Sequence, residues 1–322
     1  MKALVHEQYG MADDVLAVRE VEPPEVGEGE VLVRVRAVPV SGTDWHLVRG
    51  LPYAARLVTG LRRPANRYFG LELAGTVEAL GGGVESLAVG DEVFGWCGGS
   101  FAEYVSVPAG QLAVKPRNVP MEVAAAGPIA AFTALQAVRD LGRVGPGRKV
   151  LVSGASGGVG TYAVQFAKVL GAEVTGICGA EKADLVRSIG ADEVVDYRAV
   201  AFRDIGERFD VVIDIYGNPA VRDCARVMKK GGTLVLVGGT GGRLFMGLDR
   251  WLRGMVAAPF LGIKARPLVH KDRHDDLVTL RGLVESGEVT PVLGRTYALD
   301  QVAEAIEDVR AGRVRGHAVV TI

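Results

Sequence analysis

Residues 149–160, KVLVSGASGGVG, constrain the fold of this chain more than any other stretch. KVLVS is a continuous aliphatic run, the pattern of a strand covered on both faces. Glycines at 154, 157, 158 and 160 then turn the chain sharply, and a helical stripe follows at once through Val159, Ala163, Phe166, Ala167 and Leu170. A strand that passes directly into such a helix must lay the helix on the face of its sheet. The alternation repeats downstream as EVTGICG, a helix over 182–189, EVVDY, FDVVIDIYG, a helix over 219–229, and TLVLVGG. This order predicts a doubly wound α/β domain with a parallel sheet over 121–263.

Before residue 120 the texture differs. The runs VLVRVRAV (31–38), LAGTVEAL (73–80), DEVFGW (91–96) and SFAEYVSV (100–107) are short, β-rich and broken by Gly and Pro, which predicts an irregular all-β unit. A length of 322 residues suits two domains. The final run AVVTI (318–322) has no partner in the α/β pattern. The first domain, 1–120, is therefore expected to be completed by 264–322. The 37 Lys+Arg and 38 Asp+Glu nearly cancel, so no global field favours nucleic acid or an anionic membrane, and a small-molecule substrate is expected. Cys97, Cys178 and Cys224 match no zinc-knuckle or disulfide spacing, and the start MKALVHEQYG lacks a secretory apolar core. Both point to a cytoplasmic protein with packing cysteines.

The glycine turn carries chemistry as well as topology. Aligned on the dinucleotide fingerprint GxGxxG it reads Ala155, Gly157 and Gly160, preceded by Ser153 and Gly154 and interleaved with Ser156, Gly158 and Val159. Gly157 admits a pyrophosphate to the backbone, Gly160 lets helix and strand pack closely, and the helix N-terminus offers free N–H groups to the phosphates. The glycines closing the later strands, Gly179, Gly217, Gly238 and Gly239, are assigned to the same cofactor-binding edge. The second strand ends Thr175-Gly176-Ile177-Cys178-Gly179-Ala180, without the acid that usually holds a ribose 2′-hydroxyl. Lys182 is placed to pair with a 2′-phosphate and Tyr197 to cover the adenine side, so NADPH is preferred to NADH. Glu181 is the residue that opposes this. The alternatives are a solvated Lys182 and an ordinarily packed Tyr197.

Together, SGTDWHLVRG (41–50), GLELAGTVEALG (70–81), VGDEVFG (89–95), GGSFAEYV (98–105), SGASGGVGTYAVQFAK (153–168) and VRGHAVVTI (314–322) give a whole-length resemblance. The chain resembles the medium-chain dehydrogenase/reductase superfamily, in its zinc-independent quinone oxidoreductase branch. The resemblance implies a GroES-like β-rich catalytic domain, a Rossmann domain, an active site in the cleft between them, and a homodimer built by pairing edge strands. Zinc-dependent members place ligands where this chain has Ser41, Leu71 and Ile129. A hydroxyl and two alkyl groups cannot make a three-ligand Zn²⁺ site, so no metal is expected. His270 and His274 stand four apart but suggest a charged surface at least as readily.

Without a Lewis acid, an already electrophilic acceptor is expected: a quinone or an α,β-unsaturated carbonyl, whose arriving charge is delocalised onto an oxygen. By resemblance, Ser41, Thr43, His46 and Tyr53 line the substrate side, with His46 as a proton relay or a structural histidine, and Thr133 lies near the nicotinamide. Asp44 is included as a residue that organises this segment by hydrogen bonds. The run 54–68 carries Arg56, Arg62, Arg63 and Arg67 without an acid. It is read as a solvated basic loop, with a lid or an anionic-carrier site as alternatives. Rival readings of the whole chain are an NAD(P)-dependent alcohol or aldehyde dehydrogenase, and a non-catalytic NADPH-binding or sensing protein.

Overall fold

The strand-and-helix alternation of residues 149–236 is realised as a six-stranded sheet in the computed structural model, which describes residues 1–217, 219–238 and 248–322, the side chains of 248 and 249 excepted. Across this sheet the strands run Glu193–Asp196, Glu173–Cys178, Lys149–Ser153, Phe209–Asp214, Met228–Leu236 and Lys264–Pro267. Every pairing is parallel. Val150, Leu151 and Val152 are wholly buried, as are Val211, Val212 and Ile213, which is why these strands read as continuous aliphatic runs rather than alternating ones. The strand order reverses between Lys149–Ser153 and Phe209–Asp214, and in open sheets of this kind ligands bind outside the carboxyl ends of the strands at that reversal.

Three expectations are corrected here. The helix expected over 219–229 is shorter, Val221–Arg226, because Met228 already begins the next strand opposite Phe209 and the Phe209 N–H bonds to the Val227 carbonyl at 2.8 Å. The helix expected from Lys182 begins at Ala183, after a 3₁₀ turn over Ala180–Lys182. Lys264–Pro267, expected in the first domain, is instead the edge strand of the parallel sheet, with Ala265 packed on that unit's core. The second unit accordingly comprises Ala130–Lys271 and Glu288–Thr290, and the first Met1–Ile129, Asp272–Gly287 and Pro291–Ile322.

In the first unit a seven-stranded sheet is ordered Leu293–Ala298, His317–Thr321, Glu30–Val40, Glu72–Leu80, Glu92–Trp96 and Leu112–Val114, with Tyr104–Pro108 also paired to Glu30–Val40. The C-terminal strand lies antiparallel on Glu30–Val40, Ala318 opposite Val40 and Thr321 opposite Ala37. Val31, Val33 and Val35 alternate inward along that long strand and join Leu73, Val93 and Phe101 in one core. A helix, Gly42–Arg49, leaves the same strand. No helix among the described residues is long and apolar enough to cross a membrane.

Candidate active site

The glycine turn shows two glycines with different physical jobs. Gly154 ends its strand at φ +82°, a conformation open to glycine at no steric cost, and its N–H and that of Ala155 bond to the Ile177 carbonyl at 3.2 and 3.0 Å. A Cβ at Gly160 would meet the Gly154 carbonyl oxygen at 2.0 Å and the Ala155 Cα at 2.8 Å. Helix and turn therefore touch backbone to backbone there. Among the described residues, a Cβ at Gly157 would meet only the Gly154 oxygen, at 3.7 Å, so they leave the space above Gly157 open. Gly157 is the N-cap of helix Gly158–Val169, and no side chain among the described residues caps this end. Its first N–H groups, at Gly158, Val159 and Gly160, are thus available to an anion. Ala155 and Ser156 are buried beneath the turn. These residues fit the pyrophosphate of a dinucleotide.

Ser153, Gly217 and Gly238 fall at the carboxyl ends of the same parallel strands. Ser153 ends one strand directly opposite Asp214. Gly217 turns the chain at φ +76°, its N–H bonded to Asp214 Oδ1 at 3.0 Å. A Cβ at Gly238 would lie 2.0 Å from the Ile215 carbonyl, so two strand-end loops close on each other there. Gly239 lies outside the described residues. Thr133 is buried on helix Pro128–Leu135. Asp214 and its ion-pair partner Arg250 were not legible as site residues. Asp214 is wholly buried, and burial lifts its carboxyl above the ordinary range against the pull of Arg250 and the Gly217 N–H.

At the end of the second strand Gly179 caps the 3₁₀ turn, and Glu181 folds back until its Oε1 is 2.6 Å from where a Gly179 Cβ would sit. That carboxylate is held by Arg198 at 3.0 Å. Its own backbone N–H and Arg198 keep it below the usual carboxylate range. Arg198 also lies over the Tyr197 ring, 5.3 Å from its centroid, and the ring is half exposed. Glu181, which opposed a 2′-phosphate in the sequence, is thus engaged by a second cation. Arg198 was missed, although a cation directly after Tyr197 at a strand end was a usable signal.

The first unit gathers the residues expected on the substrate side. Ser41 is the N-cap of helix Gly42–Arg49 in a capping box with Asp44. The Ser41 hydroxyl accepts the Thr43 N–H at 3.2 Å and donates to Asp44 Oδ2 at 3.0 Å, while the Ser41 N–H reaches the same oxygen at 2.8 Å. Asp44 is buried, its Oδ1 without a partner among the described residues, and burial pushes its carboxyl up to about 6. His46 is half-buried, with Nδ1 unpartnered among the described residues. It stands edge-on to Trp45 at 4.8 Å, and burial lowers its pKa. Thr43 is exposed. Tyr53 is exposed too, with the Arg56 guanidinium 4.9 Å from its ring centroid. The three cysteines are buried and free, and burial pushes the Cys97 thiol up to about 12, which suits packing rather than reactivity.

Glu72 received no role from the sequence, yet it is the most displaced acid of this unit. It is buried and accepts the Ile129 N–H at 2.5 Å. Burial, with Asp44 and Asp272 nearby, pushes its carboxyl up to about 8. A raised acid keeps a proton in the folded chain that the unfolded chain has lost, so its contribution is full below the ordinary carboxylate range and is lost as pH rises through about 8. Glu72→Gln keeps the acceptor for Ile129 and cannot ionise. Its urea midpoint should stay flat from about pH 6 to about pH 9, where the parent declines. Parallel pH profiles for the two would refute this.

Comparison with known proteins agrees with this architecture. The profile of the alcohol dehydrogenase GroES-like domain matches residues 27–117, and that of the zinc-binding dehydrogenases matches 189–320. The chain is 31% identical over 334 residues to the chloroplast envelope quinone oxidoreductase homolog of Arabidopsis thaliana, covering 99% of this chain and 96% of that one. It is also 31% identical over 338 residues to the NADPH-dependent alkenal/one oxidoreductase of the same plant, covering 99% and 79%. Among solved structures the quinone oxidoreductase of Coxiella burnetii superposes with a TM-score of 0.88 at 26% identity, over 100% and 99% of the two chains. With its GroES-like fold, its parallel nucleotide sheet and these whole-length relatives, the chain belongs to the medium-chain dehydrogenase/reductase superfamily, in its quinone oxidoreductase-like branch.

Proposed function

We propose that the protein is an NADPH-dependent, zinc-independent reductase of quinones or α,β-unsaturated carbonyls. The observation that carries this reading is the donor set at the three positions where zinc-dependent relatives hold their metal. Leu71 and Ile129 offer alkyl groups, and the Ser41 hydroxyl is committed to Asp44. Such a set does not fit Zn²⁺, which takes thiolate, imidazole or carboxylate ligands. Among the described residues no three His, Cys, Asp or Glu side chains are grouped to hold a metal elsewhere. The names of the alkenal/one and quinone oxidoreductase relatives support the same substrate class.

When bound, the nicotinamide supplies a hydride to the acceptor carbon. The chain's own residues do the rest. The helix N-terminus at Gly158–Gly160 holds the pyrophosphate, Lys182 and Arg198 hold the 2′-phosphate, and Tyr197 covers the adenine. The exposed hydroxyls of Thr43 and Tyr53 donate to the oxygen that gains charge. His46, its Nδ1 unpartnered among the described residues and its pKa lowered by burial, is neutral at pH 7 and passes a proton rather than holding a charge.

The test is the loss of reduced-nicotinamide absorbance by chelator-treated protein, comparing NADPH with NADH against quinones, enones and aldehydes. Turnover with NADPH and an enone or quinone is expected. In the same assay Lys182→Ala and Arg198→Ala should each raise the KM for NADPH roughly 10- to 100-fold, the value of a hydrogen bond to a charged group, and leave that for NADH nearly unchanged. Activity that dies with chelator and returns with Zn²⁺ would overturn the metal-free reading. Equal effects on both nucleotides would overturn the 2′-phosphate assignment.

A homodimer is proposed as well. Among the described residues, strand Lys264–Pro267 has one neighbour in its sheet. Close to it in sequence, Leu252, Met255 and Val256 of helix Leu248–Ala257 are exposed, as is Phe260 at 89%. An open strand edge with an apolar strip nearby is what a second copy would cover. Leu252→Ser with Phe260→Ser should leave the protein monomeric by sedimentation, and a parent that already sediments as a monomer would end the proposal.

A further inference from the structure

The arginines of the loop between Leu51 and Tyr68 serve two purposes. Arg56 is turned inward: its Nε donates to the Gly50 carbonyl at 2.8 Å and an Nη to that of Arg49 at 3.3 Å. Its guanidinium also lies over the rings of Tyr9 at 4.4 Å and Tyr53 at 4.9 Å. The Tyr9 hydroxyl lies 2.9 Å from the Thr59 carbonyl oxygen and 2.8 Å from that of Gly60. Ala65 closes the base through its N–H to the Thr59 carbonyl at 2.8 Å. The loop is therefore held at its root by a cation sandwiched between aromatic rings and by backbone hydrogen bonds.

Beyond this root the side chains face outward. Leu57, Val58 and Leu61 are 81%, 87% and 67% exposed, and Arg62 and Arg63, directly after them, are exposed too. A loop free to move would fold three aliphatic side chains away from water; one held at its root keeps presenting them, and clustered exposed apolar groups mark a contact site. No acidic residue lies anywhere in 51–68, in a chain whose net charge is −1.

We propose that this tip docks the protein peripherally on an anionic lipid bilayer. The charge pattern selects the occupant. A second copy would bring the same cations against these, so self-association through the patch is opposed. Protein partners are usually anchored by aromatic side chains seated in pockets, whereas the tip offers small aliphatic groups with no aromatic among them. A bilayer takes Leu and Val into its acyl boundary while neighbouring arginines reach the lipid phosphates. Because the root is already fixed, little ordering is left to oppose the contact.

The full chain should float with vesicles of phosphatidylcholine and phosphatidylglycerol at about 7:3 and not with phosphatidylcholine alone. Arg62→Ser with Arg63→Ser should lower the partition about 25-fold, roughly fivefold for each cation at an anionic surface. Leu57→Ser with Val58→Ser and Leu61→Ser should abolish flotation. Arg222→Ser with Lys230→Ser, two exposed cations of the other unit, should change nothing. Equal partition to both vesicle types, or no flotation by the parent, would overturn the proposal. Full binding by the triple aliphatic variant would overturn insertion of the tip into the bilayer, and a changed sedimentation of the free variant would reassign the patch to a second copy.

Discussion

Asp214→Ala is expected to cost about 3–5 kcal/mol of stability, the usual consequence of breaking a buried ion pair. The carboxylate sits at the carboxyl end of strand Phe209–Asp214 with no exposure. It accepts the Gly217 N–H at 3.0 Å, and it faces the guanidinium of Arg250. Arg250 spends one amino group on the Pro219 carbonyl at 2.7 Å, and its other, Nη1, is buried with no partner among the described residues. Removing Asp214 leaves the Arg250 charge and the Gly217 N–H stranded together. The double variant Asp214→Ala with Arg250→Met should lose less than the sum of the singles by about 1–3 kcal/mol, because the second change removes the stranded charge. Urea unfolding followed by circular dichroism measures all three. A single-variant cost below about 1 kcal/mol, or strict additivity, would show that the pair is not coupled.

Gly160→Ala is the second large effect. The added Cβ would stand 2.0 Å from the Gly154 oxygen and 2.8 Å from the Ala155 backbone, and neither is a flexible side chain that can yield. The helix gains about 1 kcal/mol of propensity from the alanine, yet the overpacking should leave a net loss of about 2–3 kcal/mol. It should also weaken reduced-nicotinamide binding more than tenfold, because the helix N-terminus is pushed off the turn that presents it. Gly157→Ala is the matched contrast. Its Cβ would meet nothing nearer than 3.7 Å, so stability should move by no more than about 0.5 kcal/mol while nucleotide affinity falls. Unfolding midpoints and nucleotide titration of the two variants separate packing from cofactor contact. Unchanged affinity in Gly157→Ala would remove that residue from the phosphate site, and unchanged stability in Gly160→Ala would show that the turn can give way.

What could be read from the chain alone was what local periodicity encodes. KVLVSGASGGVG announces a covered strand, a forced turn and a helix within twelve consecutive residues, and the spacing of its glycines separates the one that packs from the one that stays open. VRGHAVVTI ends in a strand with no α/β partner, and it pairs with Glu30–Val40. By contrast Lys264–Pro267, KARP, has no strand pattern and contains a proline. It is a strand because Met228–Leu236 offers an unpaired edge. The same holds for Met228–Lys230, where pairing with Phe209 overrides a helical reading.

The electrostatics of the candidate site belong to tertiary structure for the same reason. Glu72 is an acid in a strand until the approach of Ile129, Asp44 and Asp272 makes it a buried, proton-holding group. Glu181 opposes a 2′-phosphate in sequence until Arg198, seventeen residues on, takes its carboxylate. Asp214 meets Arg250 only once the sheet and the helix after it are packed. Strand, turn and helix follow from neighbours along the chain, so the sequence alone determined them. Burial and charge pairing depend on which distant residues exclude water from a group, and only the folded chain decides that.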